Sequence, residues 1–257
     1  MEHLTSLKNP KVQAWRSLKD RKGRKETGCF LVEGRKMVEE ALRSHFPVEA
    51  VLADEGRLAE LTLSESIPVY ALPEHVLAAV CDTKTPQGVA AVVRMAQRPA
   101  KGGRLIALDG VQDPGNVGTI LRSMDAAGFT GLLTDEKTAD PYAPKTLRAS
   151  MGSVFRIPMV RSENLPQALD RLAALGYALI AGDLRGQPFY RRPAVGERLC
   201  ILIGNEGAGL SPIVLEKATL RLKLPIIGGA ESLNAAVAAS VMMYDFLRER
   251  LLSHPSD

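Results

Sequence analysis

The sequence of 257 residues predicts an α/β protein with two domains, the larger of them built on a mostly parallel sheet. After residue 103, strand-like apolar runs alternate with helical patterns, which is typical of a parallel sheet covered by helices. A short basic stretch rich in glycine and proline, residues 96–104, separates that half from a first half in which short helical and strand patterns are mixed. We therefore expect an N-terminal α/β domain over 1–97, a linker over 98–103 and a second domain over 104–257.

The chain begins with a strongly basic stretch. Residues 8–25 hold eight lysines and arginines against the single acid Asp20, with Trp15 interleaved. Such a cluster neutralises phosphates and gives sequence-independent affinity for RNA or DNA. The alternative is a solvated helix and loop. The cationic residues that we expect to bind RNA, one of them beyond this stretch, are Lys19, Arg21, Lys22, Arg24, Lys25 and Arg35.

One helix and three strands are predicted in the rest of the first half. The segment "RKMVEEALRS", residues 35–44, has one apolar helical face, formed by Met37, Val38, Ala41 and Leu42. The runs "VEAVLAD", "IPVYAL" and "QGVAAVVRM" are predicted strands. About 95 residues are enough for an independent domain.

Five strands and three helices are predicted in the second half. The strands are "RLIALDGV", "GLLTD", "ALIAGD", "CILIGNEG" and "RLKLPII", and the helices are 116–127, roughly 164–175, and a long one from Leu233. Ligands of such sheets bind beyond the carboxyl ends of the strands. Asp183, Asn205, Glu206 and Glu231 are among the polar residues near those ends.

The segment "DGVQDPGNVGTILRSMDAAGF", residues 109–129, predicts a turn and then a helix. Asn116 is the expected helix cap and Gly128 the expected stop after its C-terminus. Arg122 is either a surface arginine or, given its apolar neighbours, a partly buried guanidinium that needs an anionic partner.

The segment "LIGNEGAGLSP", residues 202–212, places Gly204, Gly207 and Gly209 after a predicted strand. Glycines permit positive φ angles and a close approach of the backbone to a ligand. The alternative is a plain strand-to-helix turn in which Pro212 starts the helix. Because the chain has no GxGxxG or GxxxxGK[ST] motif, neither a dinucleotide site nor a P-loop is supported.

The segment "LPIIGGAESLNAAVAASVMMYDFLRERLL", residues 224–252, predicts a helix capped by Ser232. Its apolar face comprises Leu233, Val237, Val241, Tyr244, Leu247 and Leu251. This face belongs either to the core of the domain or, because the neighbouring alanines allow a close helix approach, to a contact with a second subunit.

Composition excludes several classes of protein. No apolar stretch reaches the roughly 18 residues of a membrane span, and no secretory signal is visible. Cys29, Cys81 and Cys200 form no pair or metal-ligand spacing, which favours reduced thiols in the cytoplasm. We expect no metal site, because no HExxH motif or cysteine ligand spacing occurs.

Taken together, these segments resemble the SpoU/TrmH family of SPOUT RNA ribose 2′-O-methyltransferases. The matching elements are "NVGTILRSMDAAGF", "RASMGSVFRIP", "LIGNEGAGLS" and "LPIIGGAESLNAAVAAS", in the family's order. The segments "FLVEGRKMVEEAL" and "DTKTPQGVAAVV" resemble the family's L30e-like substrate-binding domain. The resemblance implies a SPOUT-type domain with a trefoil knot, S-adenosylmethionine as cofactor and a homodimer formed through that domain.

The resemblance also implies the site residues. The catalytic positions are Asn116, Arg122, Glu206, Ser232 and Asn234, and the cofactor contacts are Ile203, Gly204, Gly209, Leu224, Ile226 and Leu233. A guanidinium stays protonated at neutral pH, so we expect Arg122 to act as an electrostatic clamp oriented by Glu206. A substrate phosphate or water would then take the proton.

The expected reaction is 2′-O-methylation of structured RNA, with ribosomal RNA preferred and transfer RNA as the alternative. Two other classes stay open at this stage. One is a non-catalytic RNA-binding protein of the same N-terminal type, and the other is an enzyme that acts on a small metabolite.

Overall fold

The computed structural model describes residues 1–58, 63–96, 98–99 and 102–253. The chain divides into two compact units: Met1–Ala96 with Asp140–Arg156, and Gln97–Ala139 with Ile157–Asp257. The first unit thus includes a segment that the sequence assigns to the second domain. Of the expected domain boundary and linker, residues 97, 100 and 101 lie outside the described residues.

The strands, numbered in chain order, are β1 Glu2–His3, β2 Cys29–Glu33, β3 Val48–Ala53, β4 Val69–Ala71, β5 Val89–Arg94, β6 Arg104–Asp109, β7 Gly131–Thr134, β8 Met159–Arg161, β9 Ala178–Pro188, β10 Leu199–Gly204 and β11 Leu220–Lys223. The helices are α1 Pro10–Ser17, α2 Arg21–Thr27, α3 Arg35–Arg43, α4 Glu55–Leu58, α5 Glu74–Val80, α6 Pro114–Ala126, α7 Pro144–Ser150, α8 Leu165–Ala174, α9 Pro212–Glu216 and α10 Ala235–Ser253.

The first unit is a mixed sheet with helices packed on it. Its strand order is β1-β4-β3-β5-β2, with β5 antiparallel to both β3 and β2. Helix α3 buries Val38 and Ala41, as its apolar pattern predicts. The three predicted strands are confirmed as β3, β4 and β5.

The segment Asp140–Arg156 completes the core of the first unit. Tyr142 and Phe155 lie against Phe30, with ring centroids 4.7 and 6.1 Å away. Phe155 also makes an edge contact with Phe46. This aromatic cluster joins residues that are more than 100 positions apart in the chain, so no local pattern predicts it.

The second unit is a six-stranded parallel sheet in the order β11-β9-β10-β6-β7-β8. The predicted α/β class with a parallel sheet is confirmed. The short strand β8 was not predicted. The pairing of Asp109 with Gly204 brings the carboxyl ends of β6 and β10 side by side. The trefoil knot that the resemblance implies stays a prediction.

Two predicted helix caps are wrong. Helix α6 is capped by Asp113, whose Oδ1 accepts hydrogen bonds from the N–H groups of Gly115 and Asn116, so Asn116 lies inside the helix. Helix α10 is capped by Asn234 and not by Ser232, because Asn234 Oδ1 accepts from the N–H groups of Ala236 and Val237. The predicted stop at Gly128 is confirmed by its φ of 72°.

The apolar face predicted for α10 is not the face that packs into the core. The residues of α10 buried in the core are Ala235, Ala236, Ala239, Met242, Met243 and Phe246. Of the predicted face, Val241 and Leu247 are half-buried, and the exposed members are Leu233, Val237, Tyr244 and Leu251. The alanines let α10 lie close to β10 and α6, which leaves the bulkier stripe outside.

Candidate active site

A cavity of about 290 Å³ lies in the second unit, at the carboxyl ends of β10 and β11 and beside the middle of β9. All the predicted cofactor contacts line it, namely Ile203, Gly204, Gly209, Leu224, Ile226 and Leu233. Leu222 and Met242 add to its apolar wall, and Glu206 and Ser232 also line it. Four segments of the chain, one of them from β9, therefore form one apolar pocket with polar groups on its wall.

The glycine-rich loop after β10 folds back on the end of its own strand. Asn205 and Gly209 exchange two backbone hydrogen bonds of 2.9 Å. A Cβ atom on Gly204 would lie 2.2 Å from the carbonyl carbon of Gly209, and Gly209 has a φ of 72°. Both positions therefore need glycine. Gly207 has neither a positive φ nor a close backbone neighbour, but it lines the cavity, so its expected close approach to a ligand stays a prediction.

Glu206 connects this loop to the start of α6. Its Oε1 accepts hydrogen bonds from Asn116 Nδ2 at 2.9 Å and from the backbone N–H of Asp113 at 3.2 Å. Its Oε2 accepts from the backbone N–H of Gln112 at 3.2 Å. Glu206 thus orients Asn116 and the loop before α6, and not Arg122 as expected from the sequence.

These hydrogen bonds set the charge state of Glu206. Partial burial alone would raise the pKa of its carboxyl group. The bonds from Asn116 and from backbone N–H groups favour the charged form and outweigh burial, so the pKa lies below its ordinary value. Glu206 is therefore ionised at neutral pH and is a poor acceptor for a further proton.

Asn234 extends the same hydrogen-bond network. Its Nδ2 donates to Asn116 Oδ1 at 2.9 Å, while its Oδ1 caps α10. The side chains of Asn234, Asn116 and Glu206 therefore form one hydrogen-bonded chain beside the cavity. Three of the predicted catalytic residues are brought together in this way, and a fourth, Ser232, lines the cavity.

Arg122 stands apart from this group. The residues of α6 that face the core are Val117, Gly118, Ile120, Leu121 and Met124, and Arg122 is exposed on another face of the helix. Within the described part of the chain it makes no hydrogen bond or ion pair. The partly buried, anion-paired arginine considered at the sequence level is therefore wrong, and the surface alternative is correct.

The predicted RNA-binding residues of the first unit differ in their accessibility. Arg24 is the exception among them: only 4% of its side chain is exposed, and it forms an ion pair of 2.7 Å with Asp140. It also donates to the carbonyl oxygens of Leu18 and Lys19, so it is a structural residue and does not belong to the exposed basic surface.

The other predicted cations remain at least partly at the surface. Arg21, Lys22 and Lys25 are exposed on α2. Lys19 is half-buried and donates to the carbonyl oxygen of Ala79 at 2.7 Å, and Arg35 pairs with Glu39 on α3. Trp15 is buried against Tyr70, so it does not offer a ring face to a base.

Two kinds of feature are absent from the described residues. No group of three or more His, Cys, Asp or Glu side chains among them is placed to hold a metal ion. No helix among them combines the length and the apolar character that a membrane span requires.

Two family models match the chain in succession. Residues 9–91 match the MRM3-like substrate binding domain, and residues 103–244 match the SpoU rRNA methylase family. The second match covers the cavity, the glycine-rich loop and the hydrogen-bonded chain of Asn234, Asn116 and Glu206.

Similar proteins match over nearly the whole length. The 23S rRNA (guanosine(2553)-2′-O)-methyltransferase RlmP of Bacillus subtilis is 41% identical over 95% of this chain and 98% of that protein. An AdoMet-bound rRNA methyltransferase from Sinorhizobium meliloti has a TM-score of 0.87 at 33% identity, over 97% of this chain and 98% of that one. The SpoU methyltransferase AviRb from Streptomyces viridochromogenes, in complex with AdoMet, has a TM-score of 0.84 at 30% identity, over 95% of this chain and 99% of that one.

Proposed function

Because the chain belongs to the SpoU rRNA methylase family, we propose that it transfers a methyl group from S-adenosylmethionine to a ribose 2′-oxygen of ribosomal RNA. The observation that carries this proposal is the hydrogen-bonded chain of Asn234, Asn116 and Glu206 beside an apolar cavity. Those residues give a binding pocket and a polar reaction site next to each other, which a purely RNA-binding protein does not need.

The cavity fits the cofactor. Its volume of about 290 Å³ is at the lower end of the range of small-molecule pockets, roughly 300–1,000 Å³. The apolar side chains of Ile203, Leu222 and Met242 suit a nucleoside base. The Glu206 and Asp183 carboxylates on the wall suit a ligand that carries positive charge and hydroxyl donors. Because Gly204 and Gly209 have no side chains, a ligand in the cavity can contact the backbone at the end of β10.

The protein's part in the reaction is positioning and electrostatics. S-adenosylmethionine supplies a methyl group that is already activated on a sulfonium. Alignment of the ribose 2′-oxygen with that methyl group is worth up to about 7–11 kcal/mol. Asn116 and Asn234 hold each other in fixed orientations and are the groups that contact the ribose in this proposal. Ser232 contributes a hydroxyl on the cavity wall.

Glu206 and Arg122 have separate tasks in the proposed mechanism. Glu206 already accepts three hydrogen bonds, so it fixes Asn116 and does not remove the proton. Arg122 is exposed, which lets its guanidinium bind a substrate phosphate and stabilise negative charge near the 2′-oxygen. The proton passes to a substrate phosphate or to water.

The proposal of ribosomal RNA as the substrate rests on how much of the chain the relatives match. The relative that methylates 23S rRNA matches both units of this chain, including the part that resembles a substrate-binding domain. Ribosomal RNA is therefore the substrate that we propose, and transfer RNA is the alternative outcome of the test. Mapping of 2′-O-methylated nucleotides in total RNA, with and without the gene, decides between them.

We also propose a homodimer through the second unit and a cytoplasmic location. The exposed stripe of α10, which includes Val237 and Tyr244, is the kind of apolar surface that marks a protein contact. Sedimentation of a Val237→Asp variant is expected to show monomer where the unchanged chain shows dimer. A monomeric unchanged chain with full activity would contradict the dimer.

The proposed cytoplasmic location follows from the substrate, because ribosomal RNA lies in the cytoplasm. The three buried cysteines are free, which fits a reducing compartment.

A further inference from the structure

Strand β9 leaves the sheet for five residues beside the cavity. It pairs with β11 at Ala181–Arg221 and again at Gln187–Leu222, so residues 182–186 have no partner opposite them. A Cβ atom on Gly186 would lie 2.5 Å from the carbonyl carbon of Arg221, which explains a glycine where the strand rejoins the sheet. Bulges of this kind redirect side chains and are common beside active sites.

The bulge places Asp183 on the cavity wall with one carboxylate oxygen unused. Only 12% of the Asp183 side chain is exposed. Its Oδ1 accepts a hydrogen bond of 3.0 Å from the backbone N–H of Arg185 and lies 3.7 Å from Nε of the exposed Arg185 guanidinium. Among the described residues, no donor reaches Oδ2. Oδ2 is thus an open acceptor on the cavity wall, which a hydrogen-bond donor of a bound ligand can fill.

The surroundings of Asp183 indicate which part of the ligand brings that donor. The neighbouring Gly182 faces Met242 Sδ and Ile203 Cδ1, at 3.5 and 3.8 Å from its ideal Cβ position, so Asp183 adjoins the apolar wall where a nucleoside packs. Glu206 lies at the polar end of the site and already accepts hydrogen bonds from protein donors, among them Asn116 Nδ2. A neutral diol beside Asp183 also avoids the cost of desolvating a second charge.

We propose that Asp183 is a cofactor-binding residue whose Oδ2 accepts hydrogen bonds from the ribose hydroxyls of the adenosyl group. This inference rests on the proposed function, since it takes the cavity to be the site of S-adenosylmethionine. Asp183 then fixes the ribose in the middle of the ligand. The base lies against Ile203 and Met242, and the reacting end is directed towards Glu206 and Asn116.

The test measures ligand affinity on the full chain without RNA, by calorimetry. The ligands are S-adenosylmethionine, S-adenosylhomocysteine, which lacks the positive sulfur, and 5′-methylthioadenosine, which lacks the amino acid. In Asp183→Asn the amide oxygen still accepts from the Arg185 N–H, so this hydrogen bond is kept, while the open acceptor and the negative charge are lost. Gln187→Ala, which removes an exposed side chain from the same strand, is the matched control. Melting temperatures confirm that both variants fold.

We expect Asp183→Asn to weaken all three ligands by a similar factor of about 10- to 100-fold, the range for one hydrogen bond to a charged group. Gln187→Ala should leave the three affinities unchanged. A loss confined to the two ligands that carry the amino acid, a loss confined to S-adenosylmethionine, or unchanged affinity would each overturn the assignment to the ribose. If the unchanged chain binds none of the three, the proposed function itself fails, which distinguishes the two failures.

Discussion

At the scale of single residues, the site depends on one carboxylate that is held by hydrogen bonds and one guanidinium that is exposed on the surface. Glu206 is fixed by Asn116 and by two backbone N–H groups, whereas Arg122 is exposed on α6. The first arrangement suits a positioning residue and the second suits a residue that meets a large, charged substrate. Each therefore predicts a different response to substitution.

Replacing Glu206 with glutamine should reduce stability in a manner that depends on pH. The pKa of Glu206 is lowered in the folded state, so its ionised form stabilises the fold above its ordinary value of 4.5. That contribution is lost as the pH falls through the lowered pKa. We expect Glu206→Gln to lower the free energy of unfolding by about 1 kcal/mol at pH 7. This loss is small because Glu206 is exposed and solvent screens its interactions.

The measurement for Glu206 is urea unfolding between pH 3 and 7. The difference from the unchanged chain should shrink at the acidic end. Glu231→Gln, which alters another exposed carboxylate on the same cavity, is the control and should show little difference. A Glu206→Gln deficit of the same size at pH 3 and pH 7 would contradict the proposed charge state.

Replacing Arg122 with alanine should separate catalysis from stability. Because the side chain is exposed, the melting temperature and the cofactor affinity should stay close to those of the unchanged chain. The single-turnover methylation rate should fall by about 10²–10³, the range for removal of one donor that stabilises the charge developed in the transition state. Arg122→Lys should restore little, because a lysine lacks the planar fork.

Arg171→Ala, at an exposed position on α8, controls for the loss of one surface charge. A stable Arg122→Ala protein with an unchanged rate would remove Arg122 from the mechanism.

At the scale of structural elements, the segment Asp140–Arg156 is the main departure from a simple division of the chain. It packs with the first unit and supplies Asp140, the only carboxylate among the described residues that pairs with the buried Arg24. The segment is thus part of the structure that supports α2 and its exposed lysines.

Asp140→Asn should therefore destabilise the full chain strongly. It leaves the Arg24 guanidinium buried without its anion, which costs about 3–5 kcal/mol. Asp82→Asn is the matched control, because the pair of Arg148 with Asp82 joins the same segment to the same unit but is exposed. That control should cost no more than about 1 kcal/mol. Equal and small losses in urea unfolding would show that the buried pair is not important to the fold.

The elements also show what the sequence predicts and what it does not. The predicted strands are confirmed, and the predicted cofactor-contact residues lie around one cavity, because apolar runs and glycine-rich motifs are local. The caps of α6 and α10 were misassigned because each helix start offers two candidate side chains, and only the backbone decides between Asp113 and Asn116. The buried face of α10 differs from its predicted apolar stripe, because the buried face combines the alanines with Met242, Met243 and Phe246.

Long-range contacts account for the other gaps in the prediction. The role of Asp140 requires a contact with Arg24 across more than 100 residues. The position of Asp183 requires the pairing of β9 with β11, which interrupts an otherwise ordinary strand. Asp183 was recognised as a polar residue near a strand end, yet nothing in the run "ALIAGD" indicates a bulge.

At the scale of the whole molecule, we propose that the first unit binds RNA and the second transfers the methyl group. Neutralising Arg21, Lys22 and Lys25 together should weaken RNA binding and reduce its salt dependence. The slope of the logarithm of the binding constant against the logarithm of the salt concentration should fall by about one for each phosphate that is no longer neutralised. A variant that neutralises Arg171, Arg191 and Arg198 on the second unit has the same charge change and is the control. An unchanged salt slope in the first variant would reject the α2 surface as a phosphate-binding surface.

The most direct test of the central claim is methyl transfer from labelled S-adenosylmethionine to RNA by the purified chain, followed by mapping of the modified nucleotide. The RNA is taken from cells that lack the gene, and Asn116→Ala is the inactive control. We predict label on a ribose 2′-oxygen of large-subunit ribosomal RNA, with the label absent in the control. Label on a base, label on transfer RNA alone, or no transfer by a folded chain that binds the cofactor would contradict the account.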